Sequence, residues 1–510
     1  MKLTDLSPVI NKVIQKRDVS YNNLFDNEIH EPELLPNIGK LKKKLEEIKL
    51  WDGKIMICGD KDVDGITSAA IISNMLEYLE IDYETRIVDR HVEGYGLQKE
   101  TVDMFPDADL ILTLDNGITQ DEAIEYAFEK GVDVFVIDHH LSNDTPTFDF
   151  IDLKVNQGYY PFKNLSAGGL CWKIAKYFMG DLADNLVGIA ALSTVADLVG
   201  VLGENRAIIK KGLQKINNSP CVGVEALIDV IGIDEEITAN TIGWNIAPVI
   251  NAVGRLEHNQ LCYALLMTDD SDLAYSLAEQ AVSINEERRR LTKEGVKQVE
   301  DKEFEGNVIV EQLNIPQGIT GIIASNLMQR HKKPVFLFNE DYNGSFRSID
   351  PLDLSSIKNN IETHFKTIGG HQYAGGGKLK EDCLNDLKSK LIKLSDGLKY
   401  KTNDYDMELN PYTVNEEFMN ELDKIRPFGI DFKEPTFKWE LDKVKNINIY
   451  SDKHLAFKWY GLDCIAFNMS DKKDLLDKEN IEIMYQPSWN YWRGRKNIQL
   501  IIKSIKESEE

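Results

Sequence analysis

Three carboxylates occupy alternate positions in residues 59–65, where Asp60, Asp62 and Asp64 stand in the sequence GDKDVDG. Alternate residues of an extended segment point the same way, so these three side chains could face one spot. Carboxylates at short range raise one another's pKa, and divalent cations relieve that repulsion. The spacing therefore predicts a metal site rich in oxygen ligands.

Apolar runs that alternate with helical stretches supply the elements that would position such a site. The run KIMICGD ends at Asp60, DLILTLD ends at Asp115, and VDVFVIDHH ends in Asp138, His139 and His140. This alternation is typical of a doubly wound α/β fold with a parallel sheet, in which the carboxyl ends of the strands form the ligand crevice. Five aspartates and two histidines are therefore expected at one edge of the sheet.

The ligand types indicate which cations would bind and what they would do. Oxygen-rich ligation with one or two imidazoles suits Mn²⁺ or Mg²⁺. Two such ions, roughly 3.5–4 Å apart, can activate a water and stabilise charge on a phosphoryl group. An EF-hand loop also begins Asp-x-Asp-x-Asp-Gly, but its twelfth position requires a glutamate where this chain has Ile71. A solvated acidic turn would explain one such segment, but not three apolar runs that all end in aspartate.

Composition and the pattern of apolar residues limit the possible domain organisation of the chain and its cellular compartment. A chain of 510 residues with a net charge of −25 and six scattered cysteines is too long for one core, and without cysteine pairs it suits a reducing cytoplasm. No secretory signal or membrane segment is expected. The predicted domains are a leading segment 1–50, an α/β domain 51–268, a connecting helix 269–303, a smaller α/β domain 304–398 and a C-terminal β-barrel 399–510.

Four motifs in this order, GDKDVDGITS, LDNG, IDHH and STVADLVG, resemble those of the DHH phosphoesterase family. They look most like its RecJ branch, the single-strand-specific 5′→3′ DNA exonucleases. The likeness continues through NAVGRLEHNQ, GSFRSI and GGHQYAGGG, which match the DHHA1 domain of that family, and into PFGIDFKEPTFKWE, which resembles its OB-fold. It covers about 450 residues, and the alternation of elements gives the same fold class independently.

The resemblance implies a division of labour among the acidic residues. One metal would be held by Asp60, Asp62 and Asp115, and the other by Asp64, Asp115, His139 and Asp197. Asp138 and His140 would orient ligands or touch substrate. Lys61 stands where this branch usually has an aromatic residue, and it is expected to point away from the metals.

The resemblance also implies where a polynucleotide would be held. The expected contacts combine arginines, a hydroxyl, a glycine-rich backbone and aromatic side chains, which are the groups that bind phosphates and unpaired bases. These residues are Arg90, Asn251, Arg255, Ser345, Arg347, Gly370, His371, Trp492, Arg493 and Arg495. Some tryptophans of the barrel are expected to fill its core instead, and Arg288–Arg290 would either flank the DNA or form a solvated helix face.

The leading hypothesis is a single-strand-specific 5′→3′ DNA exonuclease that uses two Mn²⁺ or Mg²⁺ ions and releases 5′-mononucleotides. One alternative is a phosphodiesterase for short oligonucleotides or cyclic dinucleotides, and another is a repair scaffold without catalysis. The OB-like region argues against the first, and the filled ligand positions argue against the second. The expected partners are single-stranded DNA, a single-stranded-DNA-binding protein and a helicase, with the chain acting as a monomer.

Overall fold

The computed structural model describes residues 6–25, 28–88, 94, 96–142, 144–156, 158–398, 405–441, 444–492 and 495–508, apart from the side chain of Trp492. The chain divides into two compact units. The first consists of Met1–Ala247, Tyr263–Ala274 and Asn403–Glu510, and the second of Pro248–Cys262 and Tyr275–Thr402. The domain boundaries expected from the sequence stay predictions.

The first 151 residues form three leading helices and then alternating strands and helices. The elements are α1 (Pro8–Lys16), α2 (Tyr21–Phe25), α3 (Ile38–Leu50), β1 (Lys54–Gly59), α4 (Val63–Leu79), β2 (Asp82–Ile87), α5 (Lys99–Asp103), β3 (Leu110–Leu114), α6 (Asp121–Glu129), β4 (Asp133–Ile137) and β5 (Asp149–Ile151). All the strands run parallel, in the order β2-β1-β3-β4-β5. The sheet is therefore doubly wound, as the sequence predicts.

A series of helices follows in the chain. Its elements are α7 (Ala167–Met179), α8 (Val187–Ala196), α9 (Glu204–Asn218), α10 (Val222–Ile231), α11 (Ala239–Thr241), a π-helix (Ile242–Ile246), α12 (Ala247–Arg255), α13 (Gln260–Met267) and α14 (Ser271–Lys297). The helices α4, α7 and α8 pack on one another. The long α14 confirms the helix predicted from the uninterrupted helical spacing after residue 270.

The stretch Ala167–Ala196 is, among the described residues, long and apolar enough by composition to cross a membrane. Its most apolar window is 56% buried inside the fold. The residues Gly180–Leu186 form a 3-10 segment that divides it into α7 and α8. Burial against α4 accounts for the apolar composition without a bilayer.

The second unit contains a mixed sheet with the order β6-β7-β8-β10-β9. Its elements are β6 (Ile309–Gln312), α15 (Gln317–His331), β7 (Val335–Phe338), β8 (Asn343–Arg347), α16 (Leu354–Ile361), β9 (Phe365–Gly370), β10 (Ala374–Leu379) and α17 (Leu384–Leu394). The glycine-rich segment forms the facing ends of β9 and β10. Gly376 pairs with Gly369 there, in an antiparallel register.

The C-terminal part of the first unit is mainly β-structure. Its elements are β11 (Met407–Glu408), α18 (Glu416–Lys424), β12 (Phe437–Glu440), β13 (Lys445–Tyr450), β14 (His454–Trp459), β15 (Leu462–Ala466), β16 (Ile481–Trp492) and β17 (Arg495–Glu507). The strand order is β11-β12-β16-β17-β15-β14-β13. Ile10 and Val13 of α1 share the core of this sheet with Phe437 and Trp459, so the leading segment packs partly on the C-terminal module.

Candidate active site

Three parallel strands deliver an aspartate each to the same edge of the sheet. Asp60 follows β1, Asp115 follows β3 and Asp138 follows β4, and all three are buried. Asp115 has a φ of +62°, a left-handed conformation that costs about 1 kcal/mol in a residue other than glycine. Strain of this kind persists at functional sites where the surrounding structure imposes it.

The first turn of α4 carries the other carboxylates of the acidic motif. Asp62 is the N-cap, and its Oδ1 accepts hydrogen bonds from the amides of Asp64 at 3.1 Å and Gly65 at 3.2 Å. A Cβ on Gly65 would lie 2.3 Å from the carbonyl oxygen of Asp60. Only glycine therefore lets this helix begin directly against the end of β1.

Asp64 is held by donors from two other helices. Its carboxylate accepts hydrogen bonds from the amides of Ala167 at 2.9 Å and Gly168 at 2.7 Å, at the N-terminus of α7. The hydroxyl of Ser193 in α8 donates to the same carboxylate at 2.5 Å. These three donors, two of them amides at a helix N-terminus, fix the position of the Asp64 side chain.

His139 lies among three carboxylates. Its Nε2 is 3.2 Å from Oδ1 of Asp115 and 3.5 Å from both Oδ2 of Asp64 and Oδ2 of Asp197. Both ring nitrogens of His139 and Oδ1 of Asp115 are buried and make no hydrogen bond within the described part of the chain. Buried polar atoms are nearly always paired in native proteins, so these three atoms indicate a ligand.

Asp138 has a different role, because its hydrogen-bonding capacity is used within the protein. Its Oδ1 accepts from the amides of His139 and His140 and lies 2.7 Å from Nδ1 of His140, while Oδ2 accepts from the amide of Ile118 at 3.1 Å. Burial works against its charge, but the bond with His140 prevails and lowers the pKa of Asp138. The same bond raises the pKa of His140 to about 9 against the effect of burial.

The pKa values of Asp115, Asp197 and His139 are shifted in the opposite sense. Burial and the charges of Asp64, Asp62 and Asp60 raise the pKa of Asp115 well above its usual range. Burial and the carboxylate of Asp64 raise the pKa of Asp197 to about 8. Burial lowers the pKa of His139 to about 4. The protein thus presents the neutral imidazole of His139, and carboxyl groups that can all ionise only when a cation balances their charge.

The ligand atoms form groups small enough to surround an ion. Three sets each place one atom per residue within 4.8 Å of the others: Asp60, Asp62 and Asp115; Asp64, His139 and Asp197; and Asp115, His139 and His140. Oxygen donors with one imidazole fit Mn²⁺ or Mg²⁺. The cluster can therefore hold metal ions, and Asp115 is shared between sets.

The structure adds two residues that the sequence reasoning missed. The short strand β5 also ends in an aspartate, Asp152, which is buried and whose Oδ2 makes no hydrogen bond within the described residues. Burial and Asp138 raise its pKa to about 7. Its Oδ1 accepts from the amide of Lys154 at 2.7 Å. The Lys154 ammonium adds to the effect of burial on the pKa of His139 and opposes the rise in the pKa of Asp197. The same strand-then-aspartate pattern, in FDFID, would have revealed Asp152.

The predicted substrate contacts in the second unit gather at the first turn of α15. Arg255, at the end of α12, donates from Nη1 to the carbonyl of Gly318 at 3.1 Å. A Cβ on Gly321 would lie 2.9 Å from Nη2 of Arg347 and 3.5 Å from Oγ of Ser345. Two guanidinium groups and a hydroxyl at a helix N-terminus suit a phosphate.

Other predicted contacts lie elsewhere in the second unit. Asn251 is half-buried on α12, Gly370 ends β9 with a φ of +143°, and His371 is exposed beyond it. Of the basic run on α14, Arg290 is exposed and pairs with Glu287 and Glu294. Arg290 therefore belongs to a solvated helix face.

The C-terminal module divides its aromatic residues between core and surface. Trp459 is buried in the core of the sheet, as expected for some of these tryptophans. The ammonium of Lys496 lies 3.9 Å from the ring centroid of Trp489, next to the exposed Tyr491 and Arg495. Arg90, Arg493 and the side chain of Trp492 lie outside the described residues.

Three protein families match successive parts of the chain: the DHH family N-terminal domain at residues 54–199, the DHHA1 domain at 305–395 and the RecJ OB domain at 405–504. The first two, with the acidic site, define the class as a DHH phosphoesterase. The match to the RecJ OB domain narrows this class to the RecJ family, and the chain belongs to that family.

Named relatives agree with this assignment. The chain is 30% identical over 512 residues to the single-stranded-DNA-specific exonuclease RecJ of Bacillus subtilis, covering 95% of this chain and 65% of that protein. It is 27% identical to the protein of the same name from Haemophilus influenzae, covering 99% of this chain and 97% of that one. A crystal structure of RecJ in complex with Mn²⁺ from Thermus thermophilus superposes with a TM-score of 0.87 at 24% identity, over 99% of this chain and 77% of that chain. That structure shows the fold.

Proposed function

We propose that this chain is a single-strand-specific DNA exonuclease that starts at the 5′ end and hydrolyses phosphodiester bonds with two divalent cations. The observation that carries the proposal is the buried cluster around His139 and Asp115, in which both ring nitrogens of His139 and Oδ1 of Asp115 make no hydrogen bond among the described residues. The family supplies the polymer class, because relatives that cover nearly the whole chain are named single-stranded-DNA-specific exonucleases.

The proposed ligands follow the groups of atoms found at the sheet edge. Asp60, Asp62 and Asp115 would hold one ion, and Asp64, His139 and Asp197, with Asp115 shared, would hold the other. Such a pair of ions activates a water and stabilises charge on the phosphoryl group. The protein's part is to fix the ligands, as the three donors to Asp64 do.

His140 and Asp138 would act next to the ligands. The bond from Asp138 keeps His140 protonated at neutral pH, since the pKa of His140 is about 9, and the ring is partly exposed. A protonated imidazole at the mouth of an acidic site can donate a hydrogen bond to a substrate oxygen. Asp138 would set the orientation of that ring, and it would remain charged because its own pKa is lowered.

The second unit would hold the phosphate at the 5′ end of the strand. Arg347 and Ser345 approach the first turn of α15, to which Arg255 is also bonded. Arg347 has few solvent contacts, and burial lowers the pKa of its guanidinium, so a bound phosphate would meet a partly desolvated charge. Asn251, Gly370, His371 and Arg90 are proposed to contact the backbone of the same strand.

A phosphodiesterase for short oligonucleotides or cyclic dinucleotides is the second candidate. The module at residues 405–504 argues against it, because a short substrate has no use for a further nucleic-acid-binding surface. The surface on which Lys496 makes a cation–π contact with Trp489 combines basic and aromatic side chains, including Tyr491 and Arg495. Such a surface is suited instead to unpaired bases on a longer strand.

The proposed setting is the cytoplasm, where the free cysteines would stay reduced. The proposed partners are a helicase and a single-stranded-DNA-binding protein, which would produce or protect the single strand. We propose that the enzyme works as a monomer in DNA repair or recombination.

The deciding experiment is a time course on a long single strand that carries its label at either the 5′ or the 3′ end, with Mn²⁺ and Mg²⁺ in turn. Prompt release of a labelled mononucleotide from the 5′ end alone is the expected result. Release from the 3′ end, or cleavage limited to very short strands, would contradict the proposal. A 5′-hydroxyl strand compared with a 5′-phosphorylated one tests the role given to Arg347 and Ser345.

A further inference from the structure

Three large apolar side chains stand exposed beside the acidic cluster, and we call them the apolar rim: Leu141, Leu198 and Trp244. Their relative exposures are 67%, 67% and 78%. Single exposed apolar residues are ordinary on protein surfaces, but three that lie on segments next to a buried polar site call for an explanation. All three belong to the first unit.

The chain ties two members of the rim directly to the candidate ligands. Leu141 follows His140, and Leu198 follows Asp197. Nε2 of His139 and Oδ2 of Asp197 are 3.5 Å apart, so the two leucines leave the cluster from neighbouring points. Neither leucine is part of the core formed by the buried residues.

The backbone of Leu198 gives an independent reason to expect a function. Its φ is +58°, a conformation that leucine adopts at a cost and that glycine or asparagine adopts readily. The fold therefore maintains a strained leucine at the surface, one residue after a candidate ligand. Strain of this kind is typical of binding and catalytic sites.

Trp244 lies on a separate element that packs against α8. It lies in the π-helix Ile242–Ile246, which contacts α8. A Cβ on Gly243 would be 3.8 Å from Cγ1 of Val195, two residues before Asp197. The tryptophan is thus positioned beside the end of α8 that delivers Asp197. Short π-helical segments occur frequently at functional sites.

We propose that the apolar rim binds the nucleobases of the nucleotides on either side of the scissile phosphate, with Trp244 stacking on one base and the two leucines packing against the next. The inference rests on the proposed function and specifies how that site grips its substrate. Stacking and apolar contact accept any base, because every base has a π-face, so grip without sequence preference is expected.

The position of the rim determines its occupant. Leu141 and Leu198 lie within two residues of His139 and Asp197 in the chain, so a protein partner seated on them would obstruct the acidic site. The aspartates of the cluster repel polyanions, and near them a nucleotide gains little from its own phosphate until cations are bound. Contacts with the uncharged bases supply binding energy at this point without adding a charge.

The test pairs a protein change with a substrate change. Trp244→Ala is compared with wild type on an ordinary 5′-phosphorylated single strand and on the same strand with abasic residues at its first three positions. We expect kcat/KM to fall about tenfold on the ordinary strand, the size of one lost base stack, and to change less than twofold on the abasic strand. Trp51→Ala is the control, since Trp51 is an exposed tryptophan that precedes β1 at the opposite edge of the sheet.

Leu198→Asn provides a second variant that cannot be explained by misfolding. Asparagine accepts a left-handed backbone, so Tm is expected to stay unchanged or to rise, while kcat/KM on the ordinary strand falls about threefold. Leu182→Asn, which changes an exposed leucine in the 3-10 segment after α7, is the matched control and should be silent.

The outcomes separate the inference from the proposed function. Equal losses on ordinary and abasic strands, or no loss in Trp244→Ala, would overturn the rim as a base-binding surface even if the enzyme is an exonuclease. If wild type cleaves no single strand, the proposed function fails. Fluorescence anisotropy then decides the inference alone: tighter binding of the ordinary strand than of the abasic one, lost in Trp244→Ala, supports it, and equal binding overturns it.

Discussion

Two buried carboxylates in the first unit are treated in opposite ways. Glu204 accepts hydrogen bonds from the hydroxyl of Tyr160 at 2.8 and 2.9 Å and from the amide of His30 at 3.1 Å, and it lies 3.1 Å from Nζ of Lys173. Asp115 is equally buried, but its Oδ1 makes no hydrogen bond within the described residues and faces other carboxylates. The fold thus supplies hydrogen-bond donors and a counter-charge to Glu204, whereas the described residues supply no donor to Oδ1 of Asp115.

The contrast separates a structural charge from a functional one. Glu204 joins Lys173 and the segment around His30 into a network complete within the chain. The carboxyl group of Asp115 is complete only with a ligand, and burial together with the neighbouring charges raises its pKa. Removing the carboxylate of Asp115 should therefore lower activity without lowering stability, and removing that of Glu204 should lower stability without lowering activity.

The largest effect is expected for Asp115→Asn. Loss of a shared ligand should lower exonuclease activity at least ~10³-fold in a single-turnover assay. Asparagine also accepts the left-handed φ, so the fold should survive. Asp107→Asn is the matched control, because it makes the same chemical change at an exposed position that precedes β3, at the opposite edge of the sheet.

The same variant should stabilise the metal-free protein, and the sign follows from the pKa. If the pKa of a carboxyl group is higher in the folded state than in the unfolded state, the protein loses stability as the pH rises from the unfolded-state pKa to the folded-state pKa. Asp115 is such a group, so Asp115→Asn should raise Tm in a chelator at neutral pH and have less effect at about pH 4. A lower Tm in the chelator would contradict this account.

Glu204→Gln should show the reverse pattern. It leaves the buried ammonium of Lys173 without its carboxylate, and loss of one partner of a buried pair costs about 3–5 kcal/mol. Urea unfolding measures this cost, while kcat per folded molecule should stay unchanged. The double variant Lys173→Met/Glu204→Gln should recover part of the loss, and a cost below ~1 kcal/mol for the single change would contradict the comparison.

The residues also show how much the sequence alone could predict. The parallel sheet and the acidic motifs were readable, because short apolar runs that end in aspartate determine both the strands and their functional edge. Asp64 looked like the other aspartates of its motif, yet its bonds to Ala167, Gly168 and Ser193 join residues more than 100 positions apart. Pairing over such distances depends on how helices pack, which no local pattern contains.

The strands β9 and β10 at the glycine-rich segment, and the strand β5, could not be predicted from the sequence for a related reason. Gly369, Gly370 and Gly375–Gly377 have no side chains that would indicate a strand, and their pairing between β9 and β10 is determined by the neighbouring strands. The strand β5 has only three residues, too few for a periodicity to appear. Asp152 was missed with it.

The affinity of the acidic cluster for metal ions should depend on pH. Protons compete with cations for Asp115 and Asp197, and the pKa of Asp197 is about 8 without metal. Affinity for Mn²⁺ should therefore increase as the pH rises from about 6 to 8, by up to about tenfold per pH unit, and binding should release protons. Titration calorimetry in two buffers of different ionisation enthalpy measures the release, and equal heats in both would contradict it.

Ser193→Ala should have the smallest effect, because Asp64 combines features of both regions. It belongs to the acidic cluster, but it is also satisfied by three donors from the chain, of which the Ser193 hydroxyl is one. The amides of Ala167 and Gly168 remain in the variant, so the carboxylate keeps its position, and metal affinity should fall by less than about tenfold. Ser73→Ala is the control, since its hydroxyl is also buried but bonds to Thr85 and Tyr263. A fall in metal affinity of more than about tenfold would mean that the helix amides do not hold Asp64 by themselves.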